Sequence, residues 1–268
     1  MQDRAMDEGR LLMSAKGLCL TDAATAERLV LYARQYENEA FLDGDPSWFM
    51  HQVSGRADRE AMAFIASALS YGSRRQFMPK IGNILRWSEG CADSWVRCGR
   101  FEKHFPYGDS RCYYRLYTVS TMHVFLSAYR SLLLEHGTLG DYVRSRATDG
   151  IGAVTAICDY FGSHGVKTVI PKDTRSACKR VCMFLRWMVR SGSPVDLGLW
   201  ADFIDRRTLI IPLDTHVVGE AMHLGLLESR CTSMQAAQRL TERLAQVFPD
   251  DPLLGDFALF GYGVNRSG

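Results

Sequence analysis

The sequence predicts an all-α fold on three observations. Apolar residues recur at helical spacing along almost the whole chain, most of those runs stop at glycine, and no stretch shows the strict alternation of a half-buried strand. After a preamble to about residue 20, the run AATAERLVLYARQY sets Leu29, Leu31, Tyr32 and Tyr36 near helical spacing, with Asp22 as its cap. FLDGDPSWF is a turn-rich connection. DREAMAFIASALSYG then forms a core helix, with Ala61, Phe64, Ile65, Ala68 and Leu69 on one stripe and Gly72 as its C-terminal cap. RRQFMPKIGNILRWSEG turns Phe77, Ile81, Ile84 and Leu85 inward, and YRLYTVSTMHVFLSAYRSLLLEHG is a long helix ending at Gly137. Between those two lies an aromatic and basic segment, WVRCGRFEKHFPYGDSRCYYR. GAVTAICDYFGSHG and SACKRVCMFLRWMVRSG both stop at glycine, and THVVGEAMHLGL and SMQAAQRLTERLAQVF complete a series of about eight helices. No repeat, linker or change of composition marks a boundary, so residues 1–268 are one helical unit, with two lobes around a cleft as the alternative.

Composition narrows the class. A chain of 268 residues with 47% hydrophobic side chains can fill a sizeable core, and 32 basic against 30 acidic residues leave a net charge of +2. Disorder and a strongly cationic tail are excluded, and any nucleic-acid binding must rest on a local patch. The start, MQDRAMDEGR, lacks the apolar core of a signal peptide, and the longest apolar stretches fall short of a bilayer span, so a cytoplasmic location with no membrane partner is expected. Eight cysteines (Cys19, Cys91, Cys98, Cys112, Cys158, Cys178, Cys182, Cys231) are scattered without the pattern of a secreted disulfide framework, and most are expected to be reduced and half-buried.

Two helix starts carry chemical content. In PKDTRSACKRVCMFLRWMVR, Ser176 is a suitable N-cap, placing Lys179 in the first turn beside Arg175 and Arg180. The positive end of the helix dipole is unfavourable for a cation, which makes Lys179 a candidate neutral, nucleophilic amine. In IIPLDTHVVGEAMHLGL, Asp214 precedes a helix and would accept from the amides of His216 or Val217. An anion fixed in that way can steady a developing oxocarbenium ion, although an aspartate at such a place is also an ordinary cap. His216 and His223 have no third ligand at a metal spacing, and Cys178 with Cys182 lacks partner cysteines. Met183, Phe184, Trp187 and Met188 read as core.

The run DTHVVGEAMHLGL resembles the segment of helix-hairpin-helix DNA glycosylases, the endonuclease III superfamily, in which a catalytic aspartate opens a helix in a VDTHV pattern followed by RLGL. A lysine at one helix start followed by this aspartate is also shared. The wider order SACKRVCMFLRWMVR, VDLGLW, IPLDTH and DPLLGDFALFGYG is similar to a bacterial family of that superfamily, from about Leu29 to the C-terminus. Lys179 and Asp214 lie 35 positions apart, closer to the separation in the archaeal 8-oxoguanine DNA glycosylase, and ALSYGSRRQF resembles that group's ALVSYQ-like pocket sequence. Two departures stand out. GVKTVIPKDTRSACK replaces the GxGxK hairpin, with Gly165 far upstream and Pro171 intervening, which makes Lys172 the alternative nucleophile. The C-terminal four-cysteine set of endonuclease III is absent, so no iron–sulfur cluster, metal or other cofactor is expected.

The resemblance implies a two-lobed glycosylase fold with a divergent hairpin. It implies base-excision repair of damaged double-stranded DNA by a monomer that is nucleoid-associated when bound. The implied activity is removal of 8-oxoguanine through a Lys179 Schiff base, with AP lyase cleavage and Asp214 steadying the charge on the sugar. The alternatives are a glycosylase for another damaged base and a catalytically silent helical DNA-binding protein. Phosphate contact would come from Lys172, Arg175 and Arg180. From Lys172 to Arg207, eight basic residues (Lys172, Arg175, Lys179, Arg180, Arg186, Arg190, Arg206, Arg207) face four acidic ones (Asp173, Asp196, Asp202, Asp205). The turn from Gly72 through Arg74, Arg75 and Gln76 would supply the wedge that enters the duplex. Trp48, Phe49, Tyr71, Trp200 and Phe257 are candidates for stacking on the base. Asp256 would contact the base or cap the last helix.

Overall fold

The structure, a computed structural model, describes residues 22–267. Eleven α-helices and one two-stranded sheet occur among the described residues. Asp22 caps α1 (Ala23–Tyr36) by accepting from the Thr25 amide at 2.9 Å. The inward stripe of α1 is Leu29 and Ala33, while Leu31 is 60% exposed, because α11 (Leu254–Ser267) covers only one narrow face of it. The connection that follows contains two short 3₁₀ turns, Glu39–Leu42 and Pro46–His51. Asp45 opens the second turn and accepts from both the amide and the hydroxyl of Ser47.

Helix α2 (Arg56–Leu69) is buried on every side from Glu60 to Leu69, so it is a central helix and not the one-sided amphipathic element that its stripe suggests. It ends at Ser70, two residues earlier than a Gly72 cap requires. Gly72 instead takes a left-handed backbone, φ +86°, in the turn that leads to α3 (Arg74–Trp87). Phe64 of α2 meets the rings of Phe125, Tyr129, Phe161 and Phe184, which gather α5, α7 and α8 around it. Burying one such ring contributes about 2–3 kcal/mol, so this aromatic hub is a large share of the main core.

After α4 (Ala92–Arg97), the aromatic and basic segment holds a feature that the sequence reading lacks. Strands β1 (Cys112–Tyr114) and β2 (Tyr117–Thr118) pair as an antiparallel hairpin. Aromatic residues favour strands, but three residues against two are too short to display an alternation. Helix α5 (Val119–His136) accordingly begins at Val119 with Thr118 as its cap, and the preceding YRLY belongs to the hairpin. Then come α6 (Leu139–Arg144), α7 (Gly150–Ser163), α8 (Lys179–Val189), α9 (Thr215–His223), α10 (Met234–Val247) and α11.

Two apolar clusters organise the described residues. The larger surrounds α2, and the smaller joins α1, α9, α10 and α11 through Leu29, Val218, Leu240, Leu244 and Leu259. Helix α8 packs in the first and points its charged face at the second. There Arg186 pairs with Asp196 and Asp256, and Arg190 pairs with Asp196, Asp251 and Glu37. Both guanidinium groups are almost completely buried. They were counted above in the local basic excess between Lys172 and Arg207, but a burial this deep is tolerated only when every charge is paired.

Cys158, Cys178 and Cys182 are buried, Cys91, Cys98 and Cys112 are exposed, and Cys231 is intermediate; Cys19 and the N-terminal preamble lie outside the described residues. No helix among the described residues is long and apolar enough to cross a membrane.

Candidate active site

Lys179 is the first residue of α8. Ser176, expected to cap this helix, forms instead an isolated antiparallel bridge with Ser233, and the Ala177 amide donates to the Thr232 carbonyl at 2.9 Å. The chain therefore arrives extended, turns through the left-handed Cys178 at φ +47°, and starts its helix at the lysine. Asp214 caps α9 as expected, and its two oxygens divide their partners. Oδ1 accepts from the amides of His216 and Val217, each at 2.9 Å, while Oδ2 lies 2.8 Å from Lys179 Nζ.

Burial raises the proton affinity of the Asp214 carboxylate. The nearby Lys179 ammonium, its hydrogen bond and the Val217 amide outweigh that effect and hold it below the usual carboxylate value. Asp256, on the neighbouring α11, is shifted the other way. Burial pushes it up, the bonded Arg186 opposes this, and the negative charge of Asp214 adds to the rise. The two neighbouring carboxylates are thus shifted in opposite directions, Asp214 by its lysine and Asp256 by its burial.

Both Lys179 and Asp214 open onto a cavity of about 800 Å³. Helix periodicity explains its walls. Lys179, Met183 and Arg186 follow i, i+4, i+7 spacing on α8, and Asp256, Leu259, Phe260 and Gly263 follow a similar stripe on α11. Phe41, Pro46 and Phe77 add apolar wall opposite, and Asp45 is held there by Arg74 at 3.2 Å. Four carboxylates (Asp45, Asp214, Glu220, Asp256) and three basic groups (Arg74, Lys179, Arg186) face the space. An apolar cleft of this size with a few convergent polar groups is what a small-molecule or single-nucleotide site requires, such sites spanning roughly 300–1,000 Å³.

Residues 45–265, which carry all of these groups except Phe41, match the family described as protein of unknown function (DUF2400). The chain belongs to that family. No curated protein and no solved structure matches it.

In this DUF2400 chain the structure brings together some of the sequence candidates and separates others. Lys179, Asp214, Asp256 and Arg74 share the cavity. Asp256 is the third residue of α11 and does not cap it; its carboxylate is held by Arg186. Lys172 is exposed on the connection before α8 and does not line the cavity, which among the described residues leaves Lys179 as the cavity's lysine. Trp200 is fully buried in the main core and donates its indole N–H to Glu60 at 2.8 Å, so it offers no face to a ligand. Phe257 is equally buried, with the guanidinium carbons of Arg186 and Arg190 4.7 and 5.2 Å from its ring centre. Phe49 is likewise a core residue, and Trp48 lines a separate shallow depression with His51 and Pro194. Tyr71 stands at the rim, under Arg115 and Arg180, without lining the cavity.

The expected phosphate contacts change as well. Arg180 donates to the carbonyls of Ala68 and Thr168 and to the Tyr117 hydroxyl, so its guanidinium is a clamp between elements and is not free for a ligand. Arg175 is exposed but paired with Asp173 at 2.8 Å. Arg75 and Gln76 are exposed on the first turn of α3 and lie outside the cavity wall. Among the described residues, no three His, Cys, Asp or Glu side chains gather as metal ligands.

The sequence reading missed Phe41, Asp45, Glu220 and Phe260 as cavity residues and took Arg186 for a surface cation. For Arg186 and Met183 a signal existed, since both lie on the helical stripe that starts at Lys179. Phe41 and Asp45 lie in the turn-rich connection, where no periodicity points toward a site.

Proposed function

We propose that this protein is a DNA glycosylase with AP lyase activity, which removes a damaged base, 8-oxoguanine in the first instance, from double-stranded DNA. The observation that carries the reading is Lys179 Nζ at 2.8 Å from Asp214 Oδ2, at the edge of a cavity walled by Phe41, Phe77 and Phe260. A lysine and a helix-capping aspartate that come from segments 35 positions apart meet in space, in the order shared with the helix-hairpin-helix glycosylases. The extrahelical base would occupy the aromatic cavity, since chemistry at its glycosidic bond requires it to leave the stack.

On this reading the C1′–N9 bond breaks with its electron pair going to the base, and the sugar becomes cationic. The ionised Asp214 faces that charge, and Lys179 Nζ forms the new bond to C1′ after yielding a proton to the departing base or to a neighbouring carboxylate. Ring opening then gives a Schiff base. Loss of a C2′ proton expels the 3′ phosphate by β-elimination, and water releases the lysine. Asp256, bonded to Arg186, stays beside Asp214 as part of the anionic wall.

Borohydride trapping tests the reading directly. Duplexes containing 8-oxoguanine, an abasic site or normal guanine are incubated with the native protein, Lys179→Gln and Lys172→Gln. Lesion-dependent adducts that survive Lys172→Gln and vanish in Lys179→Gln are the expected result. Adducts on abasic DNA alone would keep the lyase and discard the lesion assignment. DNA binding with no adduct would refute the lysine chemistry and favour a silent binding protein.

A further inference from the structure

Resting on the glycosylase reading, we propose that the β1–β2 hairpin is the element that enters the duplex, with Leu116 as the wedge that fills the space left by the extruded base. This gives the hairpin the role for which the sequence offered the turn Gly72–Gln76.

Leu116 is 71% exposed at the tip of the hairpin, although its neighbours on either side in the pairing, Tyr114 and Tyr117, are buried. Those two rings meet edge to face at 6.3 Å at the base of the turn. The hairpin is pinned from several directions. The Tyr113 hydroxyl donates to the Lys80 carbonyl at 2.8 Å, the Tyr114 hydroxyl donates to the Tyr71 carbonyl, and Arg180 donates to the Tyr117 hydroxyl. An apolar side chain held out in water on a scaffold fixed by three polar contacts differs from a mobile surface leucine.

The turn residues point the same way. Two-residue hairpin turns favour Asn-Gly or Asp-Gly because the backbone must enter the left-handed region. Here the two positions are Arg115, at φ +50°, and Leu116. Local preference is set aside at Arg115, a large cationic side chain in a left-handed position next to the exposed Leu116, and rules of this kind are broken mainly where a site needs it. This pair is what a minor-groove wedge uses, an apolar group between base steps beside a cation for the adjoining phosphates.

Gly72 lines the cavity, and a Cβ built on it would fall 2.6 Å from Arg115 Nη1 and 2.9 Å from the Tyr114 hydroxyl. The hairpin therefore adjoins the cavity rim, with no room between for a side chain. Arg180, the residue after Lys179, also clamps the hairpin, so the wedge and the nucleophile are fixed to the same helix start.

The test compares single-turnover borohydride trapping on an abasic site in duplex and in single-stranded DNA, for the native protein, Leu116→Ala and Leu116→Phe. The single strand needs no wedge, so its rate in the same variant reports folding and lysine chemistry. Leu116→Ala is expected to lower the ratio of duplex to single-strand rates by about tenfold or more, with Leu116→Phe restoring most of it. An unchanged ratio in Leu116→Ala would overturn the wedge while leaving the glycosylase reading in place. If the native protein forms no adduct with either DNA, both fall.

Discussion

Replacing Asp214 by asparagine and by alanine separates two roles that one carboxylate performs. Oδ1 accepts the two amides that cap α9, and Oδ2 pairs with Lys179. Asparagine caps a helix about as well as aspartate, so Asp214→Asn should retain the cap and lose only the ion pair. The two side chains are 37% and 27% exposed, which limits the pair to about 0–1 kcal/mol after solvent screening. Alanine loses the cap as well, about 1 kcal/mol more. In a domain of this size each kcal/mol moves Tm by roughly 2–4 °C, so the asparagine variant should melt within about 4 °C of the native protein and the alanine variant about 2–4 °C lower than the asparagine variant. If the charge steadies the sugar cation, Asp214→Asn should still slow base release by about 10²–10³-fold. Calorimetric melts and single-turnover cleavage of a lesion duplex measure the two effects. Equal destabilisation by both substitutions would refute the division between the oxygens, and full activity in Asp214→Asn would refute the use of the charge.

Three further outcomes follow from the same geometry. Arg190→Met takes the close partner from buried Asp251 and leaves buried Asp196 with Arg186 alone, and should cost about 3–5 kcal/mol in urea unfolding; a loss below about 1 kcal/mol would show that the network is not held as described. Glu60 accepts from the Leu139 and Gly140 amides and the Trp200 indole, yet burial raises its proton affinity above the ordinary value. Between the unfolded and folded values the native state then holds more protons, so stability should fall as pH rises through that interval, and Glu60→Gln should remove that slope from paired urea titrations. Gly72→Ala must force a Cβ into Arg115 at a left-handed backbone, and a loss of about 1–2 kcal/mol in thermal melts is expected; an unchanged melt would show that the hairpin is loosely held.

The helical class, most helix spans and the Asp214 cap were legible in the sequence because they depend on local rules: period, capping residue and terminal glycine. The start of α8 was not. Ser176 has the chemistry of a cap, but the bridge to Ser233 holds it extended, and a partner 57 positions away leaves no trace in a local window. The aromatic candidates failed for a related reason. Trp200 and Phe257 have the composition of a stacking site, and only the fold shows that Glu60 and two arginines enclose them. The basic count between Lys172 and Arg207 was sound arithmetic, yet it could not distinguish an arginine facing water from Arg186 and Arg190, each neutralised in the interior.

That correction bears on what the cavity accepts. Among the described residues four carboxylates and three basic groups line it, so that wall is not cationic, and Arg186 and Arg74 are already engaged by Asp256 and Asp45. A phosphate entering this space would meet more anions than cations, which argues against a nucleotide bound deeply by its charge. A neutral base between Phe41, Phe77 and Phe260 meets no such penalty, and a sugar that becomes positive beside Asp214 is favoured by the same anions. On the proposed reading the phosphates therefore remain at the rim, where Arg115 stands exposed on the hairpin, and affinity and chemistry reside on different elements. Substituting Arg115 by alanine should then weaken duplex binding and lower its salt dependence by about one counterion, with the trapping rate at saturation retained. A loss of the saturated rate instead would place Arg115 in the chemistry and defeat that separation.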